Sequence, residues 1–309
     1  MNWFPLAILA FLLPFWAFRL WLWQKPRRKM RADIAAFKRE LERTNPPGPP
    51  LTPEEKAGFH AYVAGLAMPA AELTPREGTM HAGGNRLGGP VWLAEGEAWP
   101  VGRNGLAMEF LLQLDFGDLP PLPDFPAQGV LQFFVANDDM NGMDLDDLAN
   151  GDIALQWRDD VAGPGRMETP PPLPGRDVNC SPWVDDAARA HGRPLDATAV
   201  LQQAVWGDWR IDARWEGWLN RPGFQELEDS VMEPPGAPRQ CHHVGGQPVY
   251  VQDDVRRDPR YRAYDRCLLR LTSDKALQWG DVGEAVFLIP EAALRARDWR
   301  QAIFTWDCS

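Results

Sequence analysis

The chain has 309 residues, 45% of them apolar, which suffices for a sizeable core and excludes a disordered tail. Its formal charge is −11; six of the 32 Lys and Arg and none of the 43 Asp and Glu precede Ala32, so the remainder sets 26 against 43 and carries −17. That acidity argues against nucleic acid, whose binding draws on Lys and Arg neutralising phosphates, and favours a basic protein partner.

In chain order, Trp3 to Phe18 is continuously apolar. With Leu20 to Trp23 it makes about 21 residues, roughly 31 Å as a helix, which is the thickness of the bilayer core. No small-residue cleavage site closes the run, so it reads as a retained anchor through residues 3–23. Lys25, Arg27, Arg28, Lys29 and Arg31 all follow it. This charge bias predicts a single-pass protein of the inner membrane, N-terminus outside and globular domain cytoplasmic. Ile34, Phe37 and Leu41 predict a juxtamembrane helix, and Asn45 to Pro50 a proline-rich spacer. Residues 1–24 are thus expected as anchor, 25–50 as basic helix and linker, and 51–309 as the globular domain.

Thr52-Pro53-Glu54-Glu55 is a capping box, and Phe59, Tyr62, Val63 and Leu66 give the helix after it one apolar face. From Leu87 onward short apolar runs punctuated by Gly, Pro and Asp predict strands at 91–93, 110–114, 130–135, 153–157, 249–251, 268–271 and 286–289. The proline-rich stretch 169–174 and the acidic stretch 228–238 read as surface connections. Cys180, Cys241, Cys267 and Cys308 show no CxxC spacing, and reduced thiols are expected.

An internal repeat runs through this region. Gly88-Gly89 recurs as Gly245-Gly246 and Leu111-Leu112-Gln113-Leu114 as Leu268-Leu269-Arg270-Leu271, both 157 residues on. Gly129-Val130-Leu131-Gln132-Phe133-Phe134 has a weaker counterpart at Gly283 to Leu288, 154 residues on. The expected fold class is α+β, β-rich, with two related β-rich halves from an internal duplication, about 80–160 and 240–309, preceded by the N-terminal transmembrane helix. A groove between the halves is the expected place for a site.

Several motifs together resemble the YwqG-like family, a bacterial group whose activity is not established. They are Gly88-Gly89-Pro90, Trp99-Pro100, Leu111 to Asp115, Leu119-Pro120, Gly129 to Phe134 with Asp138-Asp139 after it, His243 to Pro248, Trp279 to Gly283, and Thr305 to Cys308. The resemblance covers roughly residues 80–309. It departs where Pro90 directly follows the glycine pair, and the N-terminal apolar run is extra to the family pattern. The resemblance implies no activity.

Candidate chemistry is sparse. Asp138 and Asp139 open an acidic stretch to Asp147 that imitates a calcium loop, but Leu148 stands where the bidentate Glu belongs. His242 and His243 are imidazoles suited to proton transfer or metal, although neighbours on a strand point to opposite faces. Asp281 and Asp307 sit in Trp-Gly-Asp and Trp-Asp contexts that equally suit turns. No nucleophile elbow or P-loop is written in the chain. The leading reading is a non-enzymatic module binding a protein, with no cofactor. The alternative is a hydrolase assisted by a divalent metal, drawing on Asp138, Asp139, His242, His243 and Asp281. Trp183, Trp206, Trp209, Trp215 and Trp218 are core or interface.

Overall fold

The computed structural model describes residues 48–172, 182–204, 207–232 and 241–309. Two compact units divide the chain: residues up to Thr52 with Gly217–Gln225, and Pro53–Glu216 with Glu226–Ser309. In the first, Leu51 donates its amide to the Pro222 carbonyl (3.1 Å) and Arg221 its Nε to the Pro49 carbonyl (2.9 Å). All the sheet structure belongs to the second.

That unit opens with α1 (Pro53–Gly65), whose buried Phe59 and Val63 lie on the apolar face the sequence predicts. Among the described residues twelve strands follow: β1 (Met68–Pro75), β2 (Arg86–Leu87), β3 (Val91–Ala94), β4 (Glu109–Asp115), β5 (Val130–Val135), β6 (Ile153–Arg158), β7 (Gly165–Glu168), β8 (Arg193–Gln202), β9 (His242–Gly245), β10 (Arg266–Thr272), β11 (Glu284–Ile289) and β12 (Ile303–Asp307). The other α-helices among the described residues are short: α2 (Asp186–His191), α3 (Trp209–Trp215), α4 (Phe224–Met232), which begins in the first unit, and α5 (Glu291–Ala296). The Phe59 and Tyr62 rings meet Trp215 edge-on at 4.7 and 4.8 Å, fastening α1 to α3.

Ten strands form one nearly closed, barrel-like sheet in the order β12-β11-β10-β9-β1-β8-β2-β4-β5-β6, and β3 pairs with β7 separately. The order is its own mirror under a pseudo-twofold through the β1–β8 pair. β2, β4, β5 and β6 then correspond to β9, β10, β11 and β12. Register agrees in detail: Gln113 faces Gln132 as Arg270 faces Val286, and a bulge falls at Leu111 and again at Leu268. Gly88 and Gly89 have φ of 64° and 81°, Gly245 and Gly246 of 69° and 71°. At Gly246, whose φ favours glycine, an added Cβ would also stand 2.7 Å from the Ala70 Cβ, so a side chain there is strained.

The expected fold class is corrected in two respects. Among the described residues no helix is long and apolar enough to cross a membrane; the segment expected to do so, residues 3–23, lies outside them, as do the juxtamembrane helix and the spacer through Pro47. Nor do two β-rich halves stand side by side with a groove between them. The first strand of each repeat is exchanged: β1 pairs with β9 of the other repeat and β8 with β2. Since β1 and β8 also pair with each other over eight residues, the sheet runs unbroken through the place where the groove was expected.

The core lies inside the curved sheet. Leu73, Leu112, Leu131, Phe133, Leu269 and Phe287 are among its fully buried residues. Phe133 and Phe287, pseudo-equivalent by sequence, meet at 5.2 Å and 71°. The two edges approach across aromatic contacts: Trp157 of β6 stacks on Trp299 at 5.4 Å, and Trp306 of β12 donates to the Met140 carbonyl at 2.9 Å. Such contacts cover edges that would otherwise offer unpaired backbone. Outside the sheet, Val91 and Leu93 of β3 pack with Phe110 and Phe134 in a second apolar cluster.

One expected strand and one expected surface connection are corrected, and two strands are added. Residues 249–251 are not a strand; they are held as irregular chain by Asp307, which accepts from the Val251 and Gln252 amides at 3.1 and 2.8 Å. The acidic stretch from Glu228 is helical to Met232, and residues 233–240 lie outside those described. β1 and β8 were not legible as strands.

Candidate functional site

The histidine pair lies on β9, and its surroundings are structural. His242 is buried, and its Nδ1 accepts from the Thr272 amide at 3.2 Å. That bond places the ring proton on Nε2, which faces Asp274 Oδ2 at 3.6 Å. The lone pair a general base needs is thus already committed to the backbone. In the other repeat Asn85 occupies the same place, its Oδ1 accepting from the Asp115 amide at 2.7 Å. An amide serves there as the imidazole serves here, which identifies the shared task as capping a strand amide.

His243 is fully buried, with Nδ1 2.9 Å from the Gly245 carbonyl. Burial pushes its pKa well below 6.5, the nearby Arg270 cation adds to this, and the Gly245 carbonyl opposes it. The ring is therefore neutral, its Nε2 unbonded and sealed from solvent. Its counterpart Arg86 is also fully buried, donating to the Pro90 carbonyl at 2.9 Å and to the Ala82 carbonyl; burial lowers it to about 10.

These residues begin two polar rows across the outer face of the sheet. In one, Gln113 donates to the Ala82 and Gly84 carbonyls, Gln132 to Gln113, and Arg158 to Gln132, Gln156 and Glu97. In the other, Arg270 clasps Glu284 through Nε and Nη2 at 2.9 and 2.8 Å, and Thr272 donates its hydroxyl to the same carboxylate. Asp274 gathers His242, Arg193 and the Ala276 and Leu277 amides. Burial works against its ionisation, but the His242 bond and the two amides prevail, holding the carboxyl well below its usual value.

The remaining candidates lie apart from these. Asp138 is half-buried, its Oδ1 accepting from the Met140 and Gly142 amides at 3.0 and 2.8 Å, while Asp139 is exposed. Asp144 and Asp147 likewise accept backbone amides of their own loop, and Leu148 is buried. Asp281 is exposed on the turn before β11. Among the described residues no group of three or more His, Cys, Asp or Glu could hold a metal ion. Cys241, Cys267 and Cys308 are free thiols, and Cys180 falls outside the described residues. Burial, with Glu72 next, pushes Cys241 up to about 12, and burial does the same to Cys267, the opposite of an activated nucleophile.

What the acidic loop does form is a surface. Together with residues 101–107 it borders an open pocket of about 410 Å³ lined by Arg103, Asn104, Asp138, Asp144, Leu145 and Asp152 among others. Arg103 fixes the two loops: its amide donates to Asp152 at 2.7 Å and its Nη1 to the Asn150 carbonyl at 2.7 Å. Leu145 is 72% exposed and Val101 63%. Asp144 lay within the acidic stretch read from sequence, but Arg103 and Asp152 are 49 positions apart and carried no local signal.

Residues 85–308 match the model of a family described as Domain of unknown function (DUF1963). The chain belongs to the DUF1963 family. The match begins at Asn85, after β1, so the strand that locks the two repeats together precedes the DUF1963 region itself. No curated protein matches the chain.

Proposed function

We propose that this chain is a YwqG-like member of its family and a non-enzymatic module that binds a basic segment of a protein partner. The observation that carries this reading is the preformed pocket between residues 103–104 and 138–152, where exposed Leu145 stands among the carboxylates of Asp138, Asp144 and Asp152. Apolar side chains held at the surface suit the stem of a lysine or arginine, and the carboxylates suit its charge. The chain's acidity adds long-range attraction, which speeds encounter with a basic partner more than it tightens the complex. Support for hydrolysis is lacking, because His242, His243, Asp138 and Asp281 occupy different places and the imidazoles are occupied or sealed.

The test is crosslinking capture by the full chain, compared with Asp144→Asn, which removes a lining charge but keeps an acceptor for its loop amides, and with Leu145→Asp. A partner lost in both variants and weakened by salt is the expected result. A partner retained by both at low salt refutes the reading.

A further inference from the structure

Two cavities just past the C-terminal end of β4 share Gly117 in their walls. The smaller, about 200 Å³, is walled by Phe116, Leu119, Pro120, Leu122 and Phe125. An apolar cavity of roughly 150 Å³ accommodates benzene, so this slot is sized for a phenyl or branched alkyl group. Its prolines bring carbonyls without N–H groups, making the polar part of the wall rich in acceptors. The Phe116 ring is backed by Trp157 and Trp299 at 5.8 and 6.4 Å, so the slot has a firm floor.

The neighbouring cavity, about 420 Å³ and open, is lined by Asp115, Asp159 and Asp160, with no Lys or Arg in its wall. Asp159 accepts from the Trp157 indole at 3.0 Å and Asp160 from the Ala162 amide at 3.1 Å. Asp115 is different. Its Oδ1 accepts from the Gly117 amide at 2.9 Å, and Oδ2 has no hydrogen-bond partner among the described residues. Burial raises its pKa, the Gly117 amide opposes this, and Asp118 adds to the rise: the carboxylate lacks a compensating cation.

We propose that the paired cavities bind a small organic amine, its apolar group in the Phe116–Phe125 slot and its ammonium against Asp115. The rings and proline faces of the slot accept an apolar body and its carbonyls a donor; Arg297 stands 4.0 Å from Asp159 at the rim, whereas Asp115 has no cation beside it, so the ammonium is placed at Asp115. A charge-assisted bond at a half-buried carboxylate is worth about tenfold or more in affinity over a neutral hydroxyl in the same place. The site shares no residue with the pocket proposed for the basic segment, and the two readings stand or fall separately.

The experiment titrates the full chain with 2-phenylethylamine, 2-phenylethanol and phenylacetate, following amide chemical shifts at Gly117 and Gly129. The amine is expected to bind about tenfold tighter than the alcohol, and phenylacetate weakest. Asp115→Asn keeps an oxygen for the Gly117 amide and should abolish the preference for the amine while leaving the alcohol unchanged. Ala127→Phe, which fills the slot, should weaken both. Equal binding of all three probes, no binding of the amine, or an unaltered preference in a folded Asp115→Asn protein overturns the proposal.

Discussion

Replacing Glu284 by Gln tests whether the outer polar row is a true low-dielectric network. Arg270 is 2% exposed and Glu284 6%, and the pair is bidentate with a third bond from Thr272. Removing one charge of a buried pair costs ~3–5 kcal/mol, because the partner stays behind uncompensated. Gln keeps the volume and one acceptor, so ~3 kcal/mol, the lower end, is expected. For a unit of this size that corresponds to a fall in Tm of about 6–12 °C. Urea unfolding of wild type and variant, with secondary structure checked at zero denaturant, gives the difference. The double variant Arg270→Met/Glu284→Leu removes both charges and should recover most of the loss, within about 1 kcal/mol of wild type. A loss below about 1 kcal/mol for Glu284→Gln would show that solvent reaches the pair, and the argument from burial would fail.

Other consequences follow from the same geometry. Fragments 48–172 and 182–309, coexpressed, should copurify and unfold together, since β1 contributes eight paired residues to β8 and four to β9; separate elution in native buffer would refute the exchange. Phe133→Ala and Phe287→Ala should each cost about 3–5 kcal/mol, with a coupling of 0.5 kcal/mol or more, because the rings touch; strict additivity in a double-mutant cycle would place them apart. Acidification should reduce stability in two windows. His243 is depressed in the folded state, so its contribution is full above 6.5 and is lost as pH falls from there toward the folded value. Asp274, also depressed, acts likewise below 3.8. His243→Gln should remove the first window only, as read from urea midpoints across pH. His242→Asn, the residue used at position 85, should be tolerated better than His242→Ala, since it retains an acceptor for the Thr272 amide; equal loss by thermal denaturation would refute the capping role.

The legible strands were those carrying their own signal. β4, β5, β10 and β11 are runs of large apolar residues buried on one or both faces, and burial of such runs is enough to specify extended chain; β6 alternates partly buried apolar residues with polar ones toward its end. The duplication was equally plain, because equivalent bulges and glycine turns require equivalent residues. β1 and β8 were not legible. Met68–Pro75 contains two prolines and small residues, and β8 leaves Asp196, Thr198 and Ala199 exposed, so neither has a periodic apolar face. They are strands because each finds partners on both sides in the exchanged sheet, a tertiary circumstance without local signature.

The sites divide in the same way. Residue type alone marked His242 and His243 as chemistry, and type does not reveal that one lone pair is bonded to a backbone amide and the other ring is sealed. The carboxylates that do face open space owe part of their surroundings to remote segments: Asp115 shares its cavity with Asp159 to Ala162, and Asp144 stands with Arg103 and Asp152. By itself the sequence determined the strongly apolar strands, the repeated motifs and the acidity of the chain. Tertiary structure decided how the repeats interlock and which acids stand uncompensated, because both depend on contacts between parts of the chain that no local pattern relates.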